Sequence, residues 1–194
     1  MDILALEHLR SPDEVAVYYA GARLLAIVVF VYYAIADATT HKFTEYHVVG
    51  DKQRLALFFA ETIRWMFWPS LAACMLILAL GRPLLALFGA GFERGYGVMF
   101  ILAVGMLARA AVGPAERLLT MLGERKQCVF IYAGAFAINF GLCVILIPRI
   151  GIEGAAVATS TALVVESIML YFVASGVSAS TSSSWAARLR PLPK

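Results

Sequence analysis

The sequence has little charge for its length. Charged residues make up 15% of its 194 residues, whereas soluble domains carry roughly a quarter. Residues of the AVILMFWYC set make up 61%, and the mean hydropathy is +0.80. A soluble domain of this length cannot hide so much apolar surface from water, and a lipid bilayer removes that constraint. The composition therefore predicts an all-α, polytopic integral membrane protein.

Other features are missing as well. The three cysteines lie in apolar runs without C-x-x-C spacing, so we expect neither disulfides nor a metal site. No basic block alternates with aromatic residues, so we expect no nucleic-acid partner. The sequence contains no nucleophile elbow, no phosphate-binding glycine loop and no loop-borne carboxylate pair. We therefore expect no enzymatic activity and no cofactor.

Five segments are long and apolar enough to cross a bilayer, which takes about 20 residues at a rise of about 1.5 Å each. They lie near residues 15–38, 65–80, 96–122, 128–147 and 152–174. The third contains Gly113 and Pro114, and proline removes a backbone donor and clashes with the preceding turn. We predict a hinge there, either a kink in a structural helix or a broken helix that lines a cavity.

Two further segments have distinct compositions. Residues 51–66 place apolar side chains at i, i+3 and i+4 spacing, which predicts an amphipathic helix on the membrane surface that leads into the second span. Residues 176–194 are rich in serine and end in basic residues, which predicts a disordered tail. Turns are expected at residues 81–83, 123–126 and 148–151.

The basic residues other than Arg23 and Arg109, which lie deep in the spans, predict the orientation. Ten lie on one side of the predicted spans and four on the other, and the richer side of a membrane protein is cytoplasmic. The tail is then inside, and the span at 15–38 enters from outside. Since residues 2–9 would have to reach the outer face first, we expect them to be the end of an earlier span. The chain is then predicted to be a fragment or half of a larger protein.

Three ionisable side chains are predicted to lie deep in the membrane, where they are costly and mark functional sites. Arg23 comes eleven residues after Pro12, or about 16 Å of helix, and Arg109 comes fourteen residues before Gly123, or about 21 Å. Glu166 is the deep acid. One interpretation pairs Glu166 with one arginine as a structural contact. The other has the arginines line an aqueous cavity and bind an anionic headgroup, for which a guanidinium is well suited.

Polar and small residues mark the last two spans. Asn139 is a candidate for a hydrogen bond to a neighbouring helix, or for contact with a substrate. Residues 154, 155, 158 and 159 give the fifth span a face of small side chains, which is typical of close helix packing.

Four stretches together resemble the C-terminal half of polysaccharide flippases of the multidrug/oligosaccharidyl-lipid/polysaccharide (MOP) exporter superfamily. They are RPLLALFG at 82–89 with Gly91 and Phe92, Gly113-Pro114 with 118–119 and Gly123, Asn139 with ILIP at 145–148 and GIEGAAVAT at 151–159, and EVAVYYA at 14–20 with Ala22 and Arg23. The likeness covers most of residues 2–175. On this alignment residues 2–9 end the family's seventh helix, and the five spans are the eighth to twelfth.

The resemblance implies one lobe of a MATE-like, two-lobed transporter that works by alternating access. Its substrate would be an oligosaccharide linked to undecaprenyl pyrophosphate, moved from the inner to the outer leaflet of a bacterial cytoplasmic membrane. Its partners would be the bilayer and a missing N-terminal lobe. Arg23, Arg109, Glu166 and Asn139 are the cavity candidates, chosen by depth and chemistry, and Gly113 and Pro114 the hinge. A drug or cation antiporter of the same superfamily, and an inactive fragment or membrane scaffold, are the alternatives.

Overall fold

A computed structural model of the protein describes residues 2–49, 52–89, 91–121 and 125–188. In these ranges the chain is almost wholly helical, which confirms the predicted all-α class. The elements, in order, are α1 Asp2–Leu9, α2 Pro12–Val49, α3 Lys52–Ala79, α4 Gly81–Ala86, a 3₁₀ turn Phe92–Gly95, α5 Tyr96–Val112, α6 Ala115–Met121, α7 Arg125–Ile150 and α8 Ile152–Arg188.

Five helical segments of the described ranges are long and apolar enough to cross a membrane. They are Pro12–Thr39, Leu57–Ala79, Phe92–Val112, Arg125–Ile150 and Ile152–Gly176. Large apolar side chains such as Phe130 and Phe172 remain exposed on them, as expected for surfaces that face lipid. The chain therefore has the helices expected of a multi-pass membrane protein, and each of the five overlaps one predicted span.

Proline and glycine set several of the helix boundaries. Pro12 is the first residue of α2, a position where its missing N–H costs no hydrogen bond. Gly151, with a φ of 65°, makes the turn between α7 and α8. Pro148 lies inside the last turn of α7, so the turn predicted at 148–151 is confined to Gly151. The turn predicted at 81–83 is the start of the short helix α4 instead. Within the turn predicted at 123–126, residues 123 and 124 lie outside the described residues.

The third predicted span is divided in two. Helix α5 ends at Val112, Gly113 adopts φ 60° and ψ −134°, and α6 begins at Ala115. Few residues other than glycine adopt this backbone conformation. The predicted hinge is therefore a complete break, and the membrane-spanning part ends at Val112 rather than at residue 122, which lies outside the described residues.

Residues 52–66 lead into the second span as one helix, α3, as predicted. Thr62 and Met66 on their apolar face are buried, so this face packs into the bundle. The end of the chain differs from the prediction. Residues 176–188 continue α8 as helix instead of forming a disordered tail. No proline interrupts them, and adding residues to an existing helix is far easier than nucleating a new one. The basic end of the predicted tail, 189–194, lies outside the described residues.

The main core lies where α2, α5 and α8 meet. Leu25, Met99 and Ala155 are fully buried there. Small residues bring the backbones close, as predicted for the fifth span. A Cβ added to Gly154 would lie 2.6 Å from the carbonyl oxygen of Leu146 in α7. These contacts fix α8 between α5 and α7 and so position the polar side chains that it carries.

Candidate functional site

An ion-paired cluster lies where α5, α6 and α8 meet. The Arg109 guanidinium of α5 donates to the Glu166 carboxylate of α8 through Nη1. Its Nη2 lies 3.4 Å from an oxygen of Glu116 on α6. The Arg109 side chain is 19% exposed and that of Glu166 is 9% exposed. Arg109 therefore has two carboxylate partners, one buried and one half-exposed.

The packing of α5 against α8 brings this pair together. A Cβ added to Gly105 would lie 2.8 Å from the Cα of Ser160, so the two backbones nearly touch. Arg109 comes one turn after Gly105, and Glu166 comes between one and two turns after Ser160. Side chains one turn apart lie on the same face of a helix, so Arg109 shares the face of Gly105. The close approach at Gly105 therefore brings Arg109 against α8, where it reaches Glu166.

The break between α5 and α6 belongs to the same site. It places Glu116 in the first turn of α6, where its carboxylate turns back towards Arg109. The carbonyl group of Gly113 lacks a helical partner, and it accepts a hydrogen bond of 2.9 Å from the Tyr32 hydroxyl of α2. A polar backbone group freed inside a membrane needs such a partner. Tyr32 therefore ties the break to α2.

Arg23 lies apart from this cluster, on the exposed face of α2. Its guanidinium carbon is 5.8 Å from the centre of the Tyr19 ring, a cation–π contact. Tyr19, Ile27 and Phe30 are exposed on the same face, at i−4, i+4 and i+7 from Arg23. Arg23 thus occupies the middle of an exposed stripe on a membrane-spanning helix.

Asn139 belongs to a second polar cluster, which joins α1, α2, α7 and α8. Its amide donates to the Thr159 hydroxyl over 3.2 Å, as expected for a contact between neighbouring helices. The Thr159 hydroxyl in turn donates to a carboxylate oxygen of Asp2, 3.2 Å away. The Tyr18 hydroxyl also donates to Asp2. This chain of hydrogen bonds fixes α1 to the rest of the bundle.

The candidate residues are therefore distributed over three places. Arg109 and Glu166 pair, with the break at Gly113 and Pro114 beside them; Asn139 lies in the Asp2 cluster; Arg23 lies alone on its stripe. Sequence reasoning missed Glu116 and Asp2 as members of these clusters. The signal for Asp2 was present, because an acid opening a short apolar helix requires partners.

These three places differ in what they can do chemically. The Arg109 cluster carries one positive and two negative charges, so it has no net attraction for an anion. The Asp2 cluster offers a carboxylate among hydroxyl and amide groups. Arg23 presents a permanently charged, partly free guanidinium to whatever faces α2. Within the ranges that the structure describes, no three His, Cys, Asp or Glu side chains come together as metal ligands.

Searches of protein-family models, of curated proteins and of solved structures each found no match to this chain.

Proposed function

We propose that this chain is one lobe of a polysaccharide flippase of the MOP exporter superfamily. In this proposal the lobe, together with an N-terminal lobe, moves an oligosaccharide linked to undecaprenyl pyrophosphate from the inner to the outer leaflet of a bacterial cytoplasmic membrane. The sequence resemblance supports the superfamily, and the exposed position of Arg23 on α2 supports the anionic substrate. The transport itself requires no enzymatic step and no cofactor.

The position of Arg23 carries this proposal. About 16 Å of helix separates it from Pro12, so it lies near the middle of a hydrocarbon core about 30 Å thick. A guanidinium facing lipid at that depth costs several kcal/mol, and such residues normally face the bundle interior or a water-filled cavity. Arg23 is exposed in the fold of this chain. The stripe around it therefore borders an aqueous cavity, and a diphosphate is a suitable ligand for its planar, permanently charged group.

The two arginines are given different roles. Glu166 and Glu116 already neutralise Arg109, so Arg109 serves to hold α5, α6 and α8 together beside the break. Arg23 is left as the anion-binding arginine. A break next to an ion-paired cluster is a suitable point for the lobe to bend during alternating access, since few hydrogen bonds would have to be broken there.

The test is replacement of the chromosomal copy in the source organism by an Arg23→Gln variant. We expect loss of most surface polysaccharide at normal protein abundance, because the glutamine amide cannot attract a diphosphate. Arg94→Gln removes an exposed charge from the 3₁₀ turn at the very start of the third span and serves as the matched control, with normal polysaccharide expected. Normal surface polysaccharide in the Arg23→Gln strain would refute the proposal.

Asp2 favours a second candidate, a drug or cation antiporter of the same superfamily. Antiporters of this kind carry a proton or cation on an intramembrane acid, and Asp2 holds its carboxylate among Tyr18 and Thr159 between four helices. An Asp2→Asn strain would then become sensitive to exported drugs while its surface polysaccharide stayed normal. The flippase proposal predicts the opposite result: Arg23→Gln reduces the surface polysaccharide and leaves drug resistance unchanged.

A further inference from the structure

An open groove of about 530 Å³ lies between α1 and α2. Its volume is in the range of small-molecule sites, about 300–1,000 Å³. It begins at the corner where the two helices meet and runs towards the middle of α2. Its polar and aromatic lining consists of Glu7, Arg10 and Tyr19, and Val15 and Ala16 form part of its apolar floor.

The groove is held open by contacts on the opposite side of the two helices. Leu6 and Tyr18 are fully buried there, and the Tyr18 hydroxyl donates to Asp2. Arg10 is fixed by hydrogen bonds from its Nη2 to the carbonyl oxygens of Ile147 at 2.7 Å and Pro148 at 3.2 Å. The shape of the groove is therefore set before any ligand arrives, which lowers the cost of binding.

The lining fits a neutral polyol. Tyr19 is 47% exposed and offers a ring face for stacking. Glu7 is exposed and accepts hydrogen bonds from hydroxyl groups. Arg10 Nη1 lies 4.0 Å from Glu14, beyond hydrogen-bond distance, so its N–H groups can donate to a ligand. Because Glu7 and Arg10 have opposite charges, the groove has no net attraction for an anion.

Tyr19 joins the groove to the arginine. Its ring lines the groove and also lies under the Arg23 guanidinium. From Tyr19 the groove runs seven residues back to Pro12, about 10 Å of helix. A ligand with its anion at Arg23 would thus meet the Tyr19 ring next. Nearer the α1–α2 corner it would meet the hydrogen-bond donors of Arg10 and the acceptors of Glu7.

We infer that the groove between α1 and α2 is a saccharide-binding subsite, which holds the first sugars of a lipid-linked oligosaccharide while Arg23 holds its diphosphate. This inference rests on the proposed function, since it uses the same ligand. It adds a prediction of its own: the sugars contribute to affinity through Tyr19 and Glu7, independently of the diphosphate. It also fixes the direction of the ligand, with the sugars towards the α1–α2 corner.

The test compares two probes on the purified full-length protein in lipid nanodiscs. One is undecaprenyl pyrophosphate, and the other is the undecaprenyl pyrophosphate-linked oligosaccharide extracted from the source organism. The quantity measured is the ratio of their dissociation constants. We expect the sugar-bearing probe to bind about ten-fold tighter than the bare one, as one stacking contact and a few hydrogen bonds to charged groups would give.

Substitutions then separate the two parts of the site. Tyr19→Leu and Glu7→Gln should each reduce the ratio about three-fold or more. Glu7→Gln should also leave binding of the bare pyrophosphate unchanged, because only Tyr19 of these two contacts Arg23. Tyr19→Phe keeps the ring and should keep most of the ratio. Tyr171→Leu, which removes an exposed tyrosine from α8, is the matched control and should change neither value.

The outcomes distinguish the subsite from the proposed function. If Arg23→Gln weakens both probes equally while Tyr19→Leu and Glu7→Gln leave the ratio unchanged, the groove does not bind sugars and the flippase proposal stands. If Arg23→Gln weakens neither probe, the flippase proposal fails. Phosphatidylethanolamine has a cation and an anion that match Glu7 and Arg10; if Glu7→Gln changes only the retention of this lipid, the groove is a lipid site and the inference is wrong.

Discussion

At the scale of single residues, the two arginines inside the spans differ in their surroundings. Arg109 is largely buried and faces two carboxylates, whereas Arg23 is exposed and contacts an aromatic ring. Charge and depth alone made them equivalent candidates. Their difference depends on which face of each helix packs into the bundle, and that is decided by close contacts such as Gly105 against Ser160.

The buried ion pair leads to a prediction about stability. Glu166→Gln leaves the Arg109 guanidinium with Glu116 alone, which is 3.4 Å away and half-exposed. We expect the free energy of unfolding to fall by about 3 kcal/mol, at the low end for breaking a buried pair because Glu116 remains. Thermal unfolding in detergent micelles, followed by circular dichroism, measures this.

Glu153→Gln is the control, because it makes the same chemical change at an exposed position in the first turn of α8. Its expected cost is below about 1 kcal/mol. The double variant Arg109→Met with Glu166→Gln should regain part of the loss, since it removes the charge left behind. Equal stability of the Glu166→Gln and Glu153→Gln proteins would contradict the structural role of the pair.

At the scale of helices, the break between α5 and α6 depends on the backbone of one glycine. Gly113 combines φ 60° with ψ −134°, and a Cβ there would lie 2.8 Å from Cγ1 of Ile63 on α3. Both the conformation and the space therefore exclude a side chain. The break is therefore a built feature of the fold, set by the backbone of Gly113 and by the contact with Ile63.

Alanine at this position should destabilise the protein. We expect Gly113→Ala to cost about 1–3 kcal/mol of unfolding free energy, the usual range for a strained backbone. Gly134→Ala is the matched control: Gly134 lies inside α7 with open space around its Cα. It should gain up to about 1 kcal/mol, because alanine is the better helix former. Unfolding in detergent measures the free energy of both variants. If Gly113→Ala and Gly134→Ala change it in the same direction, the break does not require a glycine at position 113.

The sequence predicts the membrane spans better than it predicts the break between α5 and α6. Long apolar runs predict the spans well, because a bilayer requires about 20 apolar residues wherever they occur. Gly113 and Pro114 indicated a hinge but not whether the helix continued, since that depends on Ile63 from α3. The packing of the first half of α3 against the bundle was missed for a similar reason. Its amphipathic pattern fits a membrane surface or a bundle face equally, and only the burial of Met66 decides between them.

At the scale of the whole molecule, the orientation in the membrane can be tested with cysteine labelling. Cys74, Cys128 and Cys143 are buried, so the native thiols should react slowly. Ser11 lies exposed at the α1–α2 corner and Arg125 is exposed at the start of α7. In spheroplasts we expect a membrane-impermeant maleimide to label Ser11→Cys at once, and to label Arg125→Cys only after permeabilisation. The reverse pattern would place the C-terminus outside the cytoplasm.

The break in the third span also has an electrical consequence. A helix carries about half a positive charge at its N-terminus and half a negative charge at its C-terminus. Because α5 ends and α6 begins inside the molecule, the break contains the negative C-terminal end of α5 and the positive N-terminal end of α6. Arg109 lies in the last turn of α5 and Glu116 in the first turn of α6, so each side chain sits at the helix end that favours its charge. The two macrodipoles thus add a favourable interaction with each of these charges at the break.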